Sequence, residues 1–426
     1  MKILVLGSGG REHALSHTFH KQGHSVYCIP GNGGTQKICE QVDQSLDIND
    51  FDQLALFAKE KKIDLTVCGP EALLEKGIAD TFLKYGLKFF GPTKIASQIE
   101  CSKIWSKDFM FKYGIPTGRY VKCRDIHDAK KAVKLYFNSW SGVVVKPSGL
   151  TSGKGVVVSN SVNEAEEAIK GIMEDKKYGE AGKEIVIEEI LQGKEVSIIA
   201  FCDGKKIIPM IPVKDHKRLY DGSQGPNTGG IGACSLAPFL SEEIVEKIKN
   251  TIIDRTAYGL LEEGISYIGF LYFGIILTPE GPKLLEYNCR FGDPEAQVIF
   301  PLLKSDLASI LLSCCEGNAN ADEILWENQA SCCVVMVSRG YPKSYQIGYP
   351  IKGLENIEKN KDIFIFHGGT TIDEKNQLIT SGGRVLAVTS IADDLEKAIS
   401  ICYDAVKKID FHGSYYRLDI GQNADF

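Results

Sequence analysis

Glu286, Asn288 and Arg290 alternate along Lys283-Leu284-Leu285-Glu286-Tyr287-Asn288-Cys289-Arg290. If this run is a strand, alternate side chains share a face, so a carboxylate, an amide oxygen and a guanidinium line one side. Carboxylate and amide oxygens are the hard ligands that Mg²⁺ takes when it also holds nucleotide phosphates, and a fixed cation beside them suits phosphoryl transfer. The same spacing also fits an amphipathic strand that packs Leu285, Tyr287 and Cys289 inward and leaves the three polar residues solvated. The turn that follows, Phe291-Gly292-Asp293-Pro294-Glu295, adds two acids.

What must position these residues is spread along the chain. Residues 2–6 form an apolar strand pattern that runs into Gly7-Ser8-Gly9-Gly10-Arg11-Glu12-His13 and a helix, the arrangement in which a helix N-terminus holds a phosphate. A dinucleotide fingerprint fails here, because Glu12 stands where its third glycine belongs. The next strand also ends in Pro30-Gly31-Asn32 with no acid for a ribose. Residues 65–68 make another strand, and Gly69-Pro70-Glu71 opens another helix. The alternation predicts a doubly wound parallel sheet over the first hundred residues, with both glycine loops facing one crevice at its carboxyl edge.

Residues 95–113 read as one helix with Lys103 and Lys107 a turn apart, and residues 143–146 as a buried strand ending in Lys146. Pro147-Ser148-Gly149-Leu150-Thr151-Ser152-Gly153-Lys154-Gly155 then leads into a second strand. That loop is longer than a hairpin needs and its glycines permit unusual backbone shapes, which predicts a flap that closes over phosphates. It is not a P-loop, since a strand follows it and the motif order is absent. The strand at residues 184–191 ends in acids, either an ordinary surface edge or an exit that presents backbone to an adenine and Glu195 to a ribose. Asp215-His216-Lys217-Arg218 and Gly225-Pro226-Asn227-Thr228-Gly229-Gly230 form a glycine-rich segment that no core requires, which predicts a functional loop. After Trp326 the pattern becomes a compact α+β end with a closing helix at residues 394–408, and His367 reads as a core histidine.

Composition narrows the function class. The chain of 426 residues is 43% hydrophobic, enough for about three ordinary domains. With 49 basic and 55 acidic residues its net charge is -6, which offers no electrostatic footprint for nucleic acid or an anionic membrane. No stretch has membrane-spanning length and the start lacks a signal-peptide core. Thirteen cysteines, odd in number and without metal-site spacing, read as small buried residues in a reducing compartment. A cytoplasmic protein is expected.

Along nearly its whole length the chain resembles the glycinamide ribonucleotide synthetase (phosphoribosylamine-glycine ligase) family of ATP-grasp enzymes. The resemblance rests on Gly9-Gly10-Arg11-Glu12-His13-Ala14-Leu15, Gly69-Pro70-Glu71, Gly153-Lys154-Gly155-Val156, Asp215-His216-Lys217-Arg218, Gly225-Pro226-Asn227-Thr228-Gly229-Gly230 and Asn288-Cys289-Arg290-Phe291-Gly292-Asp293-Pro294-Glu295. It implies a substrate-binding α/β domain at 1–102, an ATP-grasp domain at 103–325 with a lid at about 123–187, and an α+β domain at 326–426. It implies ligation of glycine to 5-phosphoribosylamine through glycyl phosphate, with ATP as co-substrate, Mg²⁺ or Mn²⁺, and a monomeric enzyme. Lys103, Lys146, Gly153, Lys154 and Gly155 then resemble phosphate ligands, Glu188 and Ile190 the adenine hinge, Glu195 the ribose acceptor, and Glu286 and Asn288 the metal ligands. Gly9, Gly10, Arg11, Glu12, Pro70 and Glu71 fall to phosphoribosylamine, with its phosphate on the amides after Gly7. Asp215 and Arg290 fall to glycine, its carboxylate near Arg290, and to catalysis.

The sequence departs from the pattern in two places. Residues 269–276 lack the second acidic metal ligand that many ATP-grasp enzymes have, and the flap carries Pro147-Ser148 and Thr151-Ser152 where relatives tend to have alanine and aspartate. Rival readings are another ATP-grasp ligase, such as a biotin carboxylase-like enzyme, and a module that binds ATP without turning it over. The amino-acceptor loops separate the first, and phosphate release in the presence of both substrates separates the second.

Overall fold

A computed structural model describes residues 1–43, 45–151, 155–235, 240–357 and 360–422. The first sheet is parallel, in the order Ser25–Pro30, Lys2–Gly7, Leu65–Cys68, Phe89–Phe90. Ile3, Leu4, Val5 and Leu6 are fully buried, as expected for a central strand covered on both faces. The chain leaves this strand toward one neighbour and returns on its other side. The loops after Lys2–Gly7 and Leu65–Cys68 therefore flank the point where the strand order reverses, which is where such sheets bind ligands.

The helix expected over 95–113 is two helices, Lys94–Cys101 and Lys103–Lys112. Ser102 is extended between them, and its Oγ accepts the Trp105 amide proton at 3.3 Å. A serine cap of this kind starts a helix in mid-pattern, and it puts Lys103 at a helix N-terminus. A four-stranded antiparallel sheet follows, in the order Tyr120–Cys123, Ile185–Glu189, Val143–Pro147, Val157–Ser159. It carries its own small core around Val133, Val143, Val145, Ile169 and Ile187.

The strand that carries Glu286 and Asn288 lies at the edge of a second antiparallel sheet, in the order Ile207–Pro209, Lys194–Asp203, Ile268–Thr278, Gly281–Asn288. Its register jumps from Leu284 opposite Ile275 to Glu286 opposite Gly274. Leu285 is thus the extra residue of a bulge. Leu284, rather than Leu285, enters the core with Tyr287 and Cys289, while Leu285 stays half-buried.

The last sheet runs Lys214–Asp215, Gly232–Ser235, Ala330–Ser338, Arg384–Ala392, Ile363–His367, with Ser414–Tyr415 on Ala330–Ser338. Its first two strands come from the glycine-rich segment, which corrects the expectation that no core requires that segment. Ile231, Ala233, Cys234 and Ser235 are fully buried, because small side chains are needed where this crossing strand meets Cys332 and Cys333. Asp215 therefore sits on an edge strand of the C-terminal sheet. One hydrophobic cluster runs from Ile3 and Val26 through Phe270 and Phe291 to Val334 and Val388, joining the first sheet, the sheet that carries Glu286 and the last sheet. All thirteen cysteines are free thiols. Among the described residues no helix is long and apolar enough to cross a membrane.

Candidate active site

Glu286 lies in the crevice among cations. Burial pushes its carboxyl up, but Lys217, Lys146, Lys103 and Arg290 outweigh that and hold it below the usual carboxylate range. Asn288 Oδ1 accepts from Arg290 Nη2 at 3.3 Å. Among the described residues no group of three or more His, Cys, Asp and Glu could enclose an ion. Two hard oxygens on one strand, one of them held ionised, fit a divalent cation that completes its shell with phosphates and water.

The lysines are held by an ion-pair relay that spacing alone did not show. Glu188 forms ion pairs with both lysines, Oε1 lying 3.0 Å from Lys146 Nζ and Oε2 2.9 Å from Lys107 Nζ. Lys107 also donates to Thr117 Oγ1 at 2.8 Å, and that hydroxyl donates to the Leu284 carbonyl at 2.6 Å. Burial raises the Glu188 carboxyl, and the two lysines more than offset it, so Glu188 stays charged. Glu188 is 3% exposed and its side chain is committed to the two lysines, which leaves its backbone for the expected adenine hinge. Ile190 is half-buried just past that strand. Glu195 pairs with Lys217 at 3.1 Å and keeps half its surface in solvent.

At the root of the flap, the Lys103 amide donates to the Ser148 carbonyl at 2.8 Å and its Nζ to Gly149 O at 3.4 Å. Gly149 and Gly155 do not adopt left-handed backbone; a Cβ at Gly149 would lie 2.7 Å from Ala181 Cα, and one at Gly155 2.5 Å from Pro147. They are glycines for close packing, which corrects the reading that they supply unusual backbone shapes. Gly153 and Lys154 lie outside the described residues.

The loop after Lys2–Gly7 holds a carboxylate of its own. Glu12 Oε2 accepts the Gly9 amide proton and Oε1 accepts from Arg11 Nε, both at 2.5 Å. A Cβ at Gly7 would lie 2.6 Å from Glu12 Cγ, one at Gly9 2.8 Å from its Oε2, and one at Gly69 1.7 Å from its Oε1. The Arg11 amide points at Asp293 Oδ2 at 3.4 Å. The expectation of free amides awaiting a phosphate is therefore corrected: the bare backbone of both loops makes room for Glu12, and two of the amides already face acids.

Arg11 Nη1 reaches the Phe291 carbonyl at 3.0 Å, and Arg290 Nη1 reaches the same oxygen at 3.2 Å. Arg290 Nε also donates to Glu71 Oε2 at 3.1 Å, next to the half-buried Pro70 that caps the helix. Glu100 Oε1 lies 3.7 Å from Arg290 Nη2, while its Oε2 takes the Cys289 amide at 2.6 Å. With its guanidinium shared among Glu71, Glu100, Asn288 and Phe291, Arg290 ties the first sheet to the strand that carries Glu286. A glycine carboxylate, expected near Arg290, would have to share a guanidinium that already has these partners.

Asp215 is one of the buried groups left unsatisfied among the described residues. Its Oδ1 is buried without a hydrogen-bond partner, beside a small cavity lined by Ser197, Lys217 and Tyr272. Burial, then the neighbouring Glu295, pushes its carboxyl well above the carboxylate range. Tyr272 and Ser197 hydroxyls lie 2.7 Å apart, and Ser197 donates to Glu295 at 3.2 Å.

Sequence reasoning missed Lys107, Glu100, Lys217, Glu295 and Arg384 as site residues. Arg384 Nη1 donates to Gly229 O at 2.7 Å and Asp293 O at 2.5 Å, and Nη2 lies 3.4 Å from Asp293 Oδ2. A signal was present, since Gly382-Gly383-Arg384 repeats the Gly9-Gly10-Arg11 pattern and both arginines converge on Asp293.

Family models for the N, ATP-grasp (A) and C domains of phosphoribosylglycinamide synthetase match residues 1–100, 101–296 and 331–423. The chain belongs to the phosphoribosylglycinamide synthetase family. It is similar to the phosphoribosylamine–glycine ligase of Caldanaerobacter subterraneus subsp. tengcongensis, 42% identical over 99% of this chain and 99% of that protein. It is 44% identical, over 99% of its length, to the trifunctional purine biosynthetic protein adenosine-3 of Gallus gallus, and spans 42% of that longer protein. The crystal structure of the Thermotoga maritima phosphoribosylamine–glycine ligase superposes with a TM-score of 0.84 at 31% identity, covering 99% of this chain and 100% of that one. The central sheets described above are thus those of a phosphoribosylglycinamide synthetase with an ATP-grasp core.

Proposed function

We propose that this chain joins glycine to 5-phosphoribosylamine at the expense of ATP, giving glycinamide ribonucleotide, ADP and phosphate. The observation that carries the reading is Glu286, held ionised beside the Asn288 amide oxygen by Lys103, Lys146, Lys217 and Arg290. Such a group is built for transferring phosphate, and the family supplies the acceptors.

A carboxylate is a poor acyl donor, so a glycine carboxylate oxygen first takes the γ-phosphoryl group of ATP, releasing ADP and leaving glycyl phosphate. The amine of phosphoribosylamine then attacks the glycyl carbonyl carbon, the C–O bond to phosphate breaks, and the nitrogen gives up a proton as phosphate leaves. Positioning and charge carry this chemistry, without an enzyme nucleophile. Lys103 and Lys146 take the ATP phosphates, and Gly153, Lys154 and Gly155 are assigned to the same nucleotide. Backbone at Glu188 and Ile190 meets adenine, and Glu195 meets the ribose. Glu286 and Asn288 would hold a divalent cation, Mg²⁺ or Mn²⁺, which would supply positive charge beside the transferring phosphoryl group. The buried, unpartnered Asp215 Oδ1 suits the glycine ammonium, while Arg290 positions the strand. Gly9, Gly10, Arg11, Glu12, Pro70 and Glu71 form the wall facing the ribosylamine. We place these sites in domains 1–102, 103–325 and 326–426 of a monomeric, cytoplasmic enzyme.

The test is coupled ADP release with each substrate omitted in turn. Release should need ATP, glycine, phosphoribosylamine and a divalent cation together. Steady release that ignores glycine or phosphoribosylamine sinks the reading.

A further inference from the structure

Away from the crevice the C-terminal part carries a second cleft, of about 570 Å³, lined by Arg339, Ser344, Tyr345, Gln346, Tyr349 and His412. That volume lies in the range of small-molecule sites. The cleft is preformed. Gly348 donates to the Thr380 carbonyl at 2.7 Å, Tyr349 to Thr380 Oγ1 at 3.1 Å, and Thr380 back to the Tyr349 carbonyl at 2.9 Å. Gly340 has φ +102°, and a Cβ there would lie 2.2 Å from the Ser344 carbonyl, so the loop closes tightly at its other end.

Two chemistries meet in this cleft. Among the described residues the Arg339 guanidinium makes no hydrogen bond and no ion pair, in a protein whose net charge is -6. Beside it the rings of Tyr349 and His412 stand 4.7 Å apart at 50°, and Tyr345 is 42% exposed. A guanidinium binds phosphate oxygens in pairs, and aromatic faces accept a planar base. We propose that this cleft binds an aromatic ring carrying a phosphate, of nucleoside monophosphate size, with the phosphate on Arg339 and the ring against Tyr349 and His412. The Ser344 hydroxyl and Gln346 amide are at hand for the ring edge.

The site is mechanically close to the reaction crevice. Tyr345 packs 6.4 Å from Tyr341, whose hydroxyl accepts the Gly229 amide proton at 3.1 Å. Gly383 lies under both rings, since a Cβ there would meet Tyr341 at 2.4 Å and Tyr345 at 2.9 Å. Arg384, the next residue, holds Gly229 and Asp293. A ligand that fixes Tyr345 bears on the loop behind Asp215.

The test is calorimetric titration of the full chain with adenosine and guanosine 5′-monophosphates while a non-hydrolysable ATP analogue and Mg²⁺ saturate the ATP site. One further binding event is expected. It should weaken at least tenfold in Arg339→Ala and in Tyr349→Leu, both of which keep the wild-type Tm and the wild-type kcat measured without probe. Adenosine alone and ribose 5-phosphate alone should each bind at least tenfold more weakly than the intact nucleotide. No heat beyond the ATP analogue, or unchanged affinity in Arg339→Ala, overturns the site. Ribose 5-phosphate binding as tightly as the nucleotide, and weakened as much in Arg339→Ala, overturns the ring.

Discussion

The Glu12 carboxylate fills the place where position 69 would carry a side chain: a Cβ on Gly69 would stand 1.7 Å from Glu12 Oε1. Two loops more than fifty residues apart are thus shaped around one buried acid. In Gly69→Ala the methyl and the carboxylate cannot share that space. Glu12 would give up the Gly9 amide and its pairing with Arg11. Breaking a buried charged contact of this kind costs about 3–5 kcal/mol. We predict a lower Tm, and a KM for phosphoribosylamine raised at least tenfold with the ATP KM within about twofold. A stable Gly69→Ala enzyme with normal phosphoribosylamine saturation would show that Glu12 does not shape the amine site.

Glu286→Gln removes the negative charge that Lys103, Lys146, Lys217 and Arg290 surround. The amide is nearly the same size, so the core around Leu284 and Tyr287 is untouched. We predict kcat reduced at least a thousandfold at any Mg²⁺ concentration, with the Tm moved by only a few degrees. Near-normal turnover in ordinary Mg²⁺ would mean that the strand does not hold the metal.

The parallel sheet and the alternation of Glu286 and Asn288 along their strand were legible because short-range periodicity writes them directly into the sequence. The bulge at Leu285 was not, since an extra residue leaves no mark in an apolar run and is set by the partner strand. The role of Gly7 and Gly9 is ambiguous in the sequence for a physical reason: bare backbone serves a phosphate and a packed side chain equally well, and which one arrives depends on Glu12 folding back over both. Gly10 shows the same ambiguity. A Cβ there would lie 2.4 Å from Gln297 Nε2, so a bulky residue would disturb helix packing before it met any ligand. Asp215 on the C-terminal sheet and Arg384 beside Asp293 depend on contacts across more than ninety residues, which a linear pattern does not encode.

Glu188 serves two lysines, so its removal should cost more than one ion pair. In Glu188→Gln, Lys107 and Lys146 lose their shared counter-charge while both remain buried. We predict a stability loss of about 3–5 kcal/mol and a KM for ATP raised at least tenfold, because Lys146 is no longer held toward the crevice. Lys107→Met should give a smaller loss of stability, since Glu188 keeps Lys146. Equal effects of the two variants on ATP saturation and on unfolding would show that the lysines do not act through Glu188.

Acid should loosen the contacts of the C-terminal sheet through two histidines. Burial lowers His367 to about 3, with Lys37 adding to it, and burial lowers His216 to about 3, with Arg417 and Lys214 adding to it. The main-chain amide of His367 donates to His13 Nδ1 at 2.7 Å, and His216 Nε2 accepts the Gly421 amide proton at 3.4 Å. Both rings are neutral in the folded protein and take up a proton on unfolding at any pH below the ordinary histidine value, near 6.5. The unfolded state therefore binds more protons as pH falls through 6.5, and stability drops through that window toward the folded values near 3. From pH 7 to pH 5 each histidine should remove about 2 kcal/mol. The check is urea unfolding at both pH values for the natural chain and for His367→Gln. The variant should lose less stability on acidification, by about 2 kcal/mol, whatever its stability at pH 7. An identical pH dependence in the two proteins would show that His367 does not carry the acid sensitivity.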